Sequence, residues 1–65
     1  MEPYRLFFLG GDGHIIAVEE QLCADDEAAV SWATGRAQGE EHVELWQLSR
    51  KVRGVGWMAR RRLRG

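Results

Sequence analysis

The chain predicts an α+β fold of order β-β-α-β-β, a four-stranded, mostly antiparallel sheet in the order 2-1-3-4 with one helix on one face. Three observations predict it. Two runs rich in aromatic and branched residues, YRLFFL (4–9) and IIAVEEQL (15–22), flank a glycine-rich turn. A single segment, CADDEAAVSWATGRAQGEE, has helical spacing of small apolar residues behind an acidic start. Two short alternating runs, HVELWQL (42–48) and KVRGV (51–55), follow it.

The first strand spans Tyr4 to Leu9, with Tyr4, Leu6 and Phe8 on one face and Arg5, Phe7 and Leu9 on the other. Both faces are apolar towards its end, so one meets the helix and the other suggests a partner surface. The turn is GGDGH, Gly10 to His14, where glycine takes φ > 0 without a Cβ penalty and aspartate tolerates it. Ile15 to Leu22 returns and closes a hairpin.

Asp25 is placed to cap the helix, and Asp26 and Glu27 put negative charge in its first turn, where free N–H groups and the helix dipole favour it. Ala29, Ala33 and Ala37 fall on one face with Val30 beside them, which lets the helix approach the sheet closely. Trp32 lies at the edge of that face or outside it, and Gly39 is the expected stop.

In the third strand Val43, Leu45 and Gln47 alternate with Glu44, Trp46 and Leu48. Ser49-Arg50 then turns the chain into a fourth strand, where Lys51 and Arg53 mark an edge, since basic side chains there discourage further pairing. Strands 2 and 3 run the same way on either side of the helix. Strand 1 can lie between them, making every neighbour antiparallel, or strand 3 can pair outside strand 2. The first is preferred, because it places the most apolar strand where both its edges are paired.

Sixty-five residues make one domain, expected over 1–58, with a basic tail over 59–65. A chain this short buries only about 60% of its unfolded surface, so oligomerisation is a natural source of added stability. The net charge of −1 hides a division. Residues 1–49 carry ten carboxylates against two arginines, while residues 50–65 carry seven basic side chains and no acid. Such a chain can satisfy its positive end against itself or a twin. No charged n-region precedes an apolar run and no stretch approaches a membrane span, so the plain reading is a cytoplasmic protein without membrane contact.

YRLFFLGGDGHI, CADDEAA and VELWQLSRKV together resemble short, mostly uncharacterised proteobacterial proteins. These share a tyrosine-led first strand, a DGH/DGR-type turn, an acidic helix start and an ELWQG-type strand entering an arginine-rich one. The resemblance covers roughly residues 3–53. It rests on Tyr4, Asp12, Gly13, Asp25, Asp26, Glu44, Leu45, Trp46 and Gln47, with Leu48 where the pattern more often has glycine. It implies the fold and a bacterial source, and it carries no activity.

The chemistry-bearing residues read mostly as structural. GGDGH lacks phosphate-loop spacing and no helix follows it. Cys23, His14 and His42 lie 9 and 19 residues apart, too few and too scattered for zinc or for a catalytic thiolate with its base. The carboxylate pairs read as solvated, ion-paired or capping groups. No cofactor, metal or catalytic residue is expected, and the chain reads as non-enzymatic.

What remains is a binding surface. Tyr4, Phe7, Trp46, Leu48 and Trp57 are the expected interface, with Trp46 and Leu48 on an open sheet face and Trp57 joining them. The lead reading is a homodimer or a module that binds another protein through this face. The second is a nucleic-acid-associated protein contacting phosphates through Arg53, Arg60, Arg61, Arg62 and Arg64.

Overall fold

The computed structural model describes residues 1–57 of the chain. The elements are β1 (Glu2–Leu9), β2 (Ile15–Cys23), α1 (Asp26–Ala37), β3 (Val43–Gln47) and β4 (Arg50–Arg53). The sheet runs β2-β1-β3-β4 with every neighbouring pair antiparallel, the arrangement preferred from sequence. The expected boundary at residue 58 and the tail with Arg60, Arg61, Arg62 and Arg64 lie outside the described residues.

Each element ends for a local reason. In the first hairpin the Gly10 N–H donates to the His14 carbonyl at 2.8 Å and the Asp12 carboxylate accepts from the His14 N–H at 3.0 Å. Gly13 takes φ 89°, a conformation open to glycine and costly for other residues. One residue earlier in the ladder, the pairing shifts between Phe8 and Leu9. At α1 the Asp25 side chain accepts from the Ala28 N–H at 2.8 Å, satisfying one of the donors every helix leaves free at its start. Gln38 at φ 54° and Gly39 at φ 85° end the helix in left-handed geometry.

Every strand differs from expectation by a residue or two at one end or both: β2 runs one residue further to Cys23, β3 starts at Val43, and β4 spans Arg50–Arg53 instead of 51–55. β1 begins at Glu2, because Pro3 near a strand start costs the ladder little. The β3–β4 turn is Leu48-Ser49, one residue earlier than Ser49-Arg50, and Leu48 sits at φ 55°. A glycine-type turn therefore follows Gln47 although leucine occupies it.

The core lies between α1 and the sheet. Tyr4 and Leu6 from β1, Val43 and Leu45 from β3, Cys23, and the stripe Ala29, Ala33 and Ala37 pack there with Trp57. Leu6, Val43, Leu45, Ala29 and Ala33 have no exposed surface. Burial of each of Leu6, Val43 and Leu45 contributes about 1.5–3 kcal/mol. Phe8, Val30, Trp32 and Val52 border the cluster.

Trp57 closes it from the far end of the chain. Gly56, at φ 86°, donates its N–H to the Glu41 carbonyl at 3.1 Å and turns the chain back towards the core. The indole is 7% exposed. It belongs to the helix-side core and does not join Trp46 on the other face, which corrects the expected interface. The reason is the second glycine bend after β4, which carries the chain off the line of that strand.

Candidate interaction face

Alternation along the strands divides their side chains between two faces, and the registers say which. Tyr4 points to the helix side, 2% exposed, and its hydroxyl donates to Asp26 Oδ1 at 2.7 Å. Tyr4 is thus a core residue and not an interface residue. Its expected partner Phe7, an odd number of residues away, points to the open face.

The Tyr4 hydroxyl belongs to a clamp across three elements. Arg50 of β4 donates to both oxygens of Asp26, Nη1 to Oδ2 at 3.0 Å and Nη2 to Oδ1 at 2.8 Å. Its Nε also donates to Gln47 Oε1 at 3.1 Å. The Arg50 guanidinium, and after it the Tyr4 hydroxyl, hold the Asp26 carboxyl at about 2, below its ordinary 3.8. The Tyr4 phenol is pushed up, first by its hydrogen bond to that carboxylate and then by burial. This cluster fastens β1, α1 and β4; its carboxylate is fully engaged.

The opposite face is open. One row across all four strands reads Glu20 (β2), Arg5 (β1), Trp46 (β3), Lys51 (β4). A second carries Val18, Phe7 and Glu44. Trp46 anchors both. Its ring meets Phe7 edge-on, centroids 6.5 Å apart at 82°, a favoured aromatic geometry. Its Nε1 donates to Glu44 Oε1 at 3.0 Å, and Lys51 Nζ stands 5.9 Å from the ring centroid. Arg5 pairs with Glu20 at 3.5 Å.

The largest apolar exposure on this face is on β2. Leu22 is 56% exposed and Val18 53%, and Ile16, unpaired at the register shift beyond them, is 71% exposed. Sequence reasoning missed these three. The signal was present as alternation, since Val18, Glu20 and Leu22 share a face with Phe7 while Glu19 faces α1 and pairs with Arg36 at 2.6 Å. Leu48, expected beside Trp46, instead sits in the β3–β4 turn at the sheet's end, exposed. Arg53 is exposed on β4 and pairs with Leu45, a residue of the helix side of the sheet, not with the open-face row.

The remaining chemistry stays dispersed. Cys23 is buried at the end of β2 that pairs with Glu2, and burial pushes its thiol up, away from the reactive thiolate. His14 follows the hairpin at the opposite end of the sheet, and His42 lies there too, its carbonyl accepting from the Leu9 N–H at 2.8 Å. Among the described residues no three His, Cys, Asp or Glu side chains gather to hold a metal ion. Nor is any helix among them long and apolar enough to cross a membrane. No protein-family model, curated protein or solved structure matches the chain.

Proposed function

We propose that this domain is a non-enzymatic interaction module that binds a protein surface, a second copy included, through the open face of its sheet. The observation that carries this reading is the group of apolar side chains Val18, Leu22, Phe7 and Trp46 on a face that no described element covers. An aromatic anchor with apolar neighbours and charges at its margin is the composition of a protein-binding centre and rim. The charge division supports phosphate binding as the second reading. On the described face, however, Glu20 and Glu44 lie among the bases, Lys51 stands over Trp46, and Arg50 is committed to Asp26. A base would have to displace Lys51 to stack there.

A photo-crosslinking side chain at Val18 tests the lead reading, with one at the exposed Ala28 of α1 as the control. Protein adducts from position 18 and few from 28 are expected in cells making the protein. Equal adducts from both, or none from either, would count against the open face. Titration of a fluorescent oligonucleotide at about 50 mM salt, with and without residues 59–65, tests the second. Tail-dependent binding would favour it over the first.

A further inference from the structure

We infer that the partner of the open face is a second copy of this chain, packed face to face about a two-fold axis running along the strands. The inference rests on the reading of that face as a binding surface and names its occupant.

The row Glu20–Arg5–Trp46–Lys51 runs acid, base, aromatic, base from β2 to β4. A two-fold axis along the strand direction reverses this row in the opposing sheet. Glu20 then faces Lys51 of the second copy, and Arg5 faces Trp46 of the second copy. The other two positions repeat the same contacts by symmetry. Every position meets a complementary one: two ion pairs at the margins and two cation–π contacts at the centre. The row is complementary to its own reverse.

An axis across the strands would set each strand against itself, placing both acidic edges together and both basic edges together. That arrangement has no such complementarity. Packing with the strands aligned within about 30° is also what two twisted sheets adopt.

The second row sets Phe7 opposite Glu44 of the second copy and adds no ion pair. Val18 and Leu22 flank Glu20 on the same face of β2, so they come to either side of Lys51 of the second copy, next to its aliphatic stem. Strands of eight, nine, five and four residues, at about 3.3 Å per residue and about 4.8 Å apart, present roughly 400 Å² in projection. That is below the ~800 Å² per partner of a standard stable interface, so the dimer is concentration-dependent.

A charge swap tests this. Sedimentation velocity from about 10 μM to about 1 mM is run on the full chain, on Glu20→Lys, on Lys51→Glu and on the double variant, with folding followed by circular dichroism. Each single substitution should weaken the dimer about tenfold or more, by setting like charges opposite each other. The double variant should regain most of the loss. β2 and β4 are separated by β1 and β3 within one chain, so that rescue reports contact between copies. A monomer across the whole range overturns the inference, as does a dimer indifferent to both single substitutions or one not rescued in the double variant. A strict monomer that still yields protein adducts at position 18 overturns only the choice of occupant; absence of adducts there strikes the open-face reading itself. If either single variant unfolds, Lys51→Gln and Glu20→Gln, which remove charge without reversing it, must each weaken the dimer. Their failure to do so overturns the inference equally.

Discussion

Leu48 is the residue most at odds with its surroundings. It holds φ 55° and is 74% exposed. A branched side chain in that region crowds the following carbonyl, and its apolar surface gains nothing from burial. Leu48→Asn, or Leu48→Gly, should therefore raise stability by roughly 1 kcal/mol, or about 4–8 °C in melting midpoint for a domain of this size. An unchanged urea midpoint would refute the strain. Trp57 is the opposite case. Its ring is buried, and its Nε1 has no hydrogen-bond partner among the described residues. Trp57→Phe removes that donor and keeps most of the packing, so the change should be within about 1 kcal/mol; Trp57→Ala should cost about 3–5 kcal/mol. Equal losses in the two variants would show that packing of the ring is not what Trp57 contributes. Neither residue was legible in sequence. Leu48 continued the strand alternation, and nothing local announces that Gly56 will bend the chain before Trp57.

α1 was legible because its signals are local. Asp25 caps through its own side chain, and the alanines recur every fourth residue, so cap and buried stripe both follow from spacing. The close approach they allow makes a second expectation at this scale. Ala33 has no exposed surface, and Ala33→Leu should destabilise by about 1–3 kcal/mol through overpacking, while the same change at exposed Ala28 should be nearly neutral. Equal effects at the two positions in denaturant titrations would mean that α1 does not press on the sheet. β2 was half legible. Its existence followed from IIAVEEQL, but composition drew attention to its two glutamates and away from Ile16, Val18 and Leu22. The registers separate what composition mixes, sending Glu19 to the helix side and Val18 and Leu22 to the open one.

At the scale of the molecule, charge couples the fold to pH. The Asp26 carboxyl is at about 2 in the fold, below its ordinary 3.8, because Arg50 and Tyr4 hold the charged form. Glu19 is lowered by Arg36, and Asp12 by the backbone and side chain of His14. Each binds protons less readily folded than unfolded, so its contribution is complete only above the ordinary values of 3.8 and 4.5, from about pH 5, and is lost as pH falls below them, for Asp26 down to about 2. Tyr4 and Cys23 are raised, so stability falls again as pH climbs past their ordinary ranges of 10.0 and 9.0. The melting midpoint should be flat near neutrality and drop on both sides. Asp26→Asn should lower the neutral plateau and shallow the acid limb; an acid limb as steep as in the unmodified chain would place the titrating groups elsewhere. The overall topology was legible because only one arrangement buries the most apolar strand in the middle. The partner's side of the open face was not, since Glu20, Arg5, Trp46 and Lys51 come from four strands and form a row only once the registers are known.

The central position of β1 also sets the order in which the protein can come into being. As the chain is synthesised, β1 and β2 emerge first and can form their hairpin, but the Tyr4 and Leu6 side is bare and the other edge of β1 is open until Val43–Gln47 arrive. Arg50 closes the clamp on Asp26 later still, and Trp57 seals the core last. A nascent chain arrested at residue 42 should therefore be cut readily by protease, and one extended past residue 57 should resist. Until those residues arrive the domain has a bare core side, and nearly all of its protection is gained over the final fifteen of the described residues.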